Sequence, residues 1–179
     1  MRNVLGIFKD VRSANVALAS LEMRGYDKED ISVVATREAL GSQELKLENN
    51  MLKGVTDTAV TGGLIGGLLG LLVGVGALTI PGLGLLFVTG PVAAALGITG
   101  VAGATVSGAL TGSMVGGIAG ALKELGVEEN LAIEYEKDVK GGNIILGVET
   151  EDADVHDVIK ILTTSGASRV SELQSKRSA

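Results

Sequence analysis

"NVLGIFKDVRSANVALASLEMRGYDKEDISVVAT", residues 3–36, decides the fold class. It opens with an apolar run at residues 4–8, then sets Ala14, Ala17, Leu18 and Leu21 at the i, i+3, i+4, i+7 spacing of one helical face. Gly25 stands where such a helix can stop, and residues 31–35 form a second apolar run. The stretch predicts strand, helix, strand.

The same arrangement returns near the C-terminus in "NIILGVETEDADVHDVIKILTTSGASRVSEL", residues 143–173. Residues 144–148 read as a strand, Val155, Val158, Ile159 and Leu162 take the helical spacing, Gly166 is the stop and residues 168–173 are the last strand. Neither half alone buries enough apolar surface to be stable, but together they make one modest core. The predicted fold is therefore α+β: a ferredoxin-like split βαβ domain, with a four-stranded antiparallel sheet and two helices on one face.

Between the halves lies a different kind of chain. From residue 58 to residue 122 there is no Asp, Glu, Lys, Arg or His, and many of the protein's 27 glycines fall here. Gly62, Gly66, Gly70 and Gly74 follow one another in steps of four, as do Gly108, Gly112, Gly116 and Gly120, which on a helix makes a stripe without side chains. Such stripes let two helix backbones approach closely, which offsets glycine's cost of roughly 1 kcal/mol per helical residue. The pattern predicts a glycine-zipper helical hairpin, with helices at about residues 57–79 and 91–125. Its turn would be "IPGLGLLFVTGP" (residues 80–91), where Pro81, Gly82, Gly84 and Pro91 break the helices. Each helix is long enough to cross a bilayer. The turn and the residue before it carry only Thr89 and Thr79 as polar residues, so a tip at the far membrane interface, a re-entrant structure and the core of a protein oligomer all stay open.

The expected organisation is residues 1–36 as the first half of the sheet domain, 37–57 as linker, 58–122 as the hairpin, 123–142 as a charged helix, and 143–179 as the second half and tail. The charged helix rests on Leu131, Tyr135 and Val139 at four-residue spacing in "VEENLAIEYEKDVKGGN" (residues 127–143), ended by Gly141 and Gly142. Its charged face is expected to be solvated.

Chemistry is sparse. The net charge of −6 and the near absence of aromatic residues argue against nucleic-acid binding, and the lack of cysteine removes disulfide and thiolate chemistry. The single histidine, His156, is expected at the surface, leaving no nucleophile–base pair. The acidic run "ETEDADVHD" (residues 149–157) lacks the spacing of a calcium loop, and Asp152 or Asp154 explains it as a helix cap. No phosphate-binding glycine motif occurs. No enzymatic activity, cofactor or metal is expected.

Taken in order, residues 4–36, the "IPGLG" at 80–84, "GVEENLAIEYEKDVKGGNIILGVET" at 126–150 and "SGASRV" at 165–170 resemble the bacterial general stress protein 17M-like (heat-induced stress protein) domain family. Its recurring positions fall here on Gly25, Pro81, Gly82, Gly84, Tyr135, Gly141, Gly142 and Gly166. The resemblance implies a bacterial, stress-linked protein made in the cytoplasm, and supplies no catalytic residues or cofactor. The functional expectation is a non-enzymatic protein whose partners are copies of itself and membrane lipid, seated at the inner membrane with its sheet domain in the cytoplasm. The alternatives are a lipid-free ring, shell or filament in the cytoplasm with the hairpins as its apolar core, or a sheet domain that senses a small ligand.

Overall fold

The computed structural model describes residues 2–27, 29–40, 77–80, 84–95, 117–124 and 126–174. Strand β1 (Arg2–Phe8) runs into helix α1 (Val11–Met23), whose start is set by Asp10: its Oδ1 accepts the Ser13 N–H at 2.8 Å and satisfies one of the free donors of the first turn. At the other end Gly25 takes φ +91°, so that Tyr26 N–H reaches Leu21 O and Gly25 N–H reaches Glu22 O, the Schellman closure. The same pair of bonds closes three later helices at Gly126, Gly142 and Gly166. Strand β2 (Ile31–Thr36) leads directly into a single helical turn, α2 (Arg37–Leu40), at the start of the stretch read as linker.

The remaining elements are β3 (Ala77–Ile80), β4 (Gly84–Val88), α3 (Gly90–Ala95), α4 (Gly117–Glu124), α5 (Glu129–Lys140), β5 (Ile144–Thr150), α6 (Val155–Thr164) and β6 (Arg169–Gln174). The six strands form one antiparallel sheet in the order β3-β4-β2-β5-β1-β6. β5 lies between β1 and β2, and β1 lies between β5 and β6, so each strand–helix–strand unit straddles a strand of the other. The two predicted halves are thus interleaved in one sheet.

Side chains alternate across a strand, and here both sides are covered. On one face Val4, Phe8, Ile31, Val33, Ile144, Leu146 and Val148 pack against Ala14, Ala17, Leu18 and Leu21 of α1 and Val155, Val158 and Leu162 of α6. On the other, Leu5, Ile7, Val34, Leu86, Val88 and Ile145 meet Val92 of α3, Ile118 and Leu122 of α4, and Ala132, Tyr135 and Val139 of α5. The two helices of the predicted units, α1 and α6, share one face as expected, and the second face is covered as well, by α3, α4 and α5. Burial on both faces also explains why β2 reads as a nearly unbroken apolar run.

The predicted hairpin is corrected at its centre. Ala77–Ile80, read as the end of the first helix and the first residue of the turn, is a strand, and the rest of the predicted turn contains strand β4 and the start of α3. β4 pairs with β2 from Val34↔Val88 to Thr36↔Leu86, and the chain reverses between Ile80 and Gly84, which face each other. A membrane-crossing hairpin would carry its tip about 30 Å from its roots, whereas residues 84–88 lie beside β2 in the sheet that both flanks build. Where the second helix was expected, at 91–125, the helical residues described before residue 125 are those of α3 and α4, and residues 96–116 lie outside the described residues. Among the described residues no helix is long and apolar enough to cross a membrane.

Candidate functional site

Gly62, Gly66, Gly70, Gly74, Gly108, Gly112 and Gly116 lie outside the described residues, as do Pro81 and Gly82. Gly120 falls in α4, where it is half-buried. Gly84 opens β4 opposite Ile80, and Pro91 sits in the first turn of α3, where its missing N–H costs no helical bond. The described residues therefore hold the seat on which the uncharged stretch joins the domain.

That seat begins at the end of β4. Thr89 N–H donates to Val33 O at 2.9 Å, and Thr89 Oγ1 accepts the Val33 N–H at 2.8 Å while donating to Ile31 O at 3.4 Å. Gly90 then turns the chain at φ +66°, so close to β2 that a Cβ there would lie 2.4 Å from Ile31 O. Ser32 Oγ accepts the Val92 N–H at 3.2 Å, satisfying a first-turn donor of α3. Thr89 and Ser32 are both buried, so the threonine read as a rare polar residue of an apolar turn works as an internal hydrogen-bond partner.

The return of the chain is seated by α5. Ile118 and Leu122 of α4 pack into the second core, and the carboxylate of Glu136 reaches the start of α4, where Oε2 accepts the Ala119 N–H at 3.0 Å. Its Oε1 accepts from Lys140 Nζ at 2.6 Å. Burial acts to raise the pKa of Glu136, but the bonds from Lys140 and Ala119 outweigh it and hold the carboxyl below its usual value. The charged face of α5, expected to be only solvated, is thus partly engaged; Glu134 also pairs with Arg169 at 2.9 Å. Sequence reading missed Thr89, Ser32 and Glu136, since each acts on an element distant in the chain.

The acidic run at 149–157 does not converge. Asp152 pairs with Arg2 at 3.3 Å, Asp157 with Arg24 at 2.7 Å, and His156 is exposed. Asp154 holds the position before α6, but its side chain makes no capping bond, which corrects the cap assigned to it. Among the described residues no group of three or more His, Asp or Glu could hold a metal ion. Beside the Arg24–Asp157 pair is an open cleft of about 230 Å³, lined also by Gly25, Tyr26, Asp154 and Ile161, with Tyr26 Oη bonded to Thr150 Oγ1 at 2.9 Å. Arg24, Asp157 and Tyr26 are thus already partnered at this cleft.

Beneath α5 the Tyr135 hydroxyl is buried without a hydrogen-bond partner, the one such side-chain atom found among the described residues. Burial pushes its pKa up; Ser171, the neighbour that partly offsets this, stands outside hydrogen-bond geometry. No family model matches this chain, and neither a curated protein nor a solved structure is significantly similar to it.

Proposed function

We propose that this chain is a non-enzymatic, stress-associated protein that assembles with copies of itself through two glycine-rich stretches, residues 58–76 and 96–116, carried on a ferredoxin-like split βαβ domain. One observation carries the reading: the described ends of both stretches, Leu40 and Ala77 for the first and Ala95 and Gly117 for the second, belong to one folded unit. A single crossing of a bilayer would place the two ends of a stretch on opposite sides. Two crossings need about 40 apolar residues, and the uncharged stretches have 19 and 21. Contacts between copies, with Gly62, Gly66, Gly70 and Gly74 against Gly108, Gly112 and Gly116, satisfy the same apolarity without a span. A stretch of this apolarity left in water would exceed the exposed patch that soluble monomers tolerate.

Membrane association is the second reading, favoured by the absence of any charge from residue 58 to 122. It takes the form of stretches lying in the interface plane. The two readings separate in one experiment: light scattering of the full-length chain after size exclusion, with flotation against liposomes of neutral and anionic lipid. Assembly predicts a lipid-free particle larger than a monomer that shrinks in the Gly66→Leu and Gly112→Leu variants. A monomer that floats with lipid would replace assembly by membrane association, and a monomer that does not float would remove both.

A further inference from the structure

Helix α4 is held differently at its two ends. Its C-terminal end closes on itself through Gly126 N–H to Lys123 O and Val127 N–H to Leu122 O, each at 3.0 Å, with an exposed Lys123–Glu129 pair beside it. Its first turn, Gly-Ile-Ala-Gly, has no polar side chain to satisfy its own amides. Glu136 of α5 supplies the acceptor, and its Oε2 lies 3.4 Å from where a Cβ on Gly117 (φ +56°) would stand. The carboxylate therefore fills the space of a missing side chain at the positive end of the α4 peptide dipoles.

We propose that Glu136 is an acid-sensitive latch on α4: ionised, it holds the start of that helix against α5, and neutralised, it lets α4 open while the sheet and the helices of the first face stay folded. Two features make the opening local. The buried α4 side chains Ile118 and Leu122 belong to the second core alone, and among the described residues none of α4 joins the cluster under α1 and α6. The charged groups around Glu136 among the described residues are few. Lys140, one turn along α5, bonds the other oxygen at 2.6 Å, α3 (GPVAAA) carries no charge, Lys123 is engaged with Glu129, and Arg169 of β6 is engaged with Glu134 and Asp138. Because the folded pKa of Glu136 is depressed, its stabilisation is complete above the ordinary glutamate value of about 4.3 and is lost as pH falls through the lower folded value. The latch concerns α4 alone and holds whatever the glycine-rich stretches touch.

Amide hydrogen exchange of the full-length chain, read by mass spectrometry and corrected for intrinsic rates, tests it. At pH 7, Glu136→Ala is expected to speed exchange of the α4 amides roughly two- to thirtyfold, the span seen when a helix cap is lost. Alanine is a strong helix former, so α5 itself is not weakened. Glu136→Gln, which keeps a neutral acceptor, is expected to fall between wild type and Glu136→Ala. Lys140→Met, which leaves the carboxylate in place, is expected to keep α4 close to wild type. The wild-type chain is expected to approach the alanine variant as pH falls through the lowered folded value of Glu136. Unchanged α4 protection in Glu136→Ala overturns the latch, and so does release of α1 and β5 together with α4, since either outcome denies a local device. Equal loss in Lys140→Met and Glu136→Ala overturns it as well, by assigning the hold to the ion pair.

Discussion

Replacing Gly90 by alanine tests whether the middle of the uncharged stretch is built into the sheet. The new Cβ would stand 2.4 Å from Ile31 O, 2.8 Å from Ile31 C and 2.9 Å from Ser32 Cα, all backbone atoms that no rotamer change can clear. It would also be held at φ +66°, which costs a non-glycine residue roughly 1–2 kcal/mol. Gly25 is the control: it too has a positive φ, +91°, but a Cβ there meets nothing within 4 Å. Gly25→Ala should therefore show the conformational cost alone. Gly90→Ala adds an overpacking cost of about 1–3 kcal/mol. With a urea m-value of about 2 kcal/mol/M, the two midpoints should differ by about 0.5–1.5 M at equal protein concentration, Gly90→Ala being the lower. Coincident midpoints would refute the close approach of β4 to β2, and with it the correction of the helical hairpin.

Two further outcomes probe the second core. Leu122→Ala removes a side chain with no exposed surface and should cost about 2–5 kcal/mol in the same urea titration, a loss that a helix projecting away from the sheet would not show. Tyr135→Phe deletes a buried hydroxyl that has no partner, so stability should hold or rise by up to about 1 kcal/mol, and a loss above that would mean the hydroxyl is bonded. The raised pKa of Tyr135 gives this a pH signature. Once pH passes the ordinary tyrosine value of about 10, the unfolded chain gives up the phenolic proton before the folded one, so stability falls with rising pH in wild type more than in Tyr135→Phe.

The flanks were legible because their signals are local. Ala14, Ala17, Leu18 and Leu21 mark a helix face whatever lies against it, and Gly25, Gly142 and Gly166 stop helices by backbone geometry that needs no tertiary partner. Residues 84–88 were not legible in the same way. Leu86 and Val88 face one core while Phe87 faces the other, so the strand shows no alternation, and an apolar run set among glycines reads equally as helix or strand. The signal that remained was a short run with Phe87 and Val88, bounded by Pro81–Gly82 and Gly90–Pro91. At the seat, Thr89 bonds Val33 across 56 positions of sequence and Ser32 bonds Val92 across 60, and Glu136 caps a helix whose packing on α5 no periodicity encodes.

The interleaving of the sheet also sets the order of events during synthesis. β1 has β5 and β6 as its neighbours in the sheet, with Arg2 opposite Thr150 and Gln174, so once made it has no strand partner until β5 has followed it. At 5–20 residues per second, the stretch from β2 to β5 takes about 5–20 s to emerge. During that interval the uncharged, glycine-rich middle emerges while α5 and β5, which complete the surface that seats its described ends, are not yet made. A nascent chain of this design closes slowly, through pairings of high contact order, and is exposed to aggregation until it does, so ribosome-bound chains halted before residue 144 should be protease-sensitive from end to end.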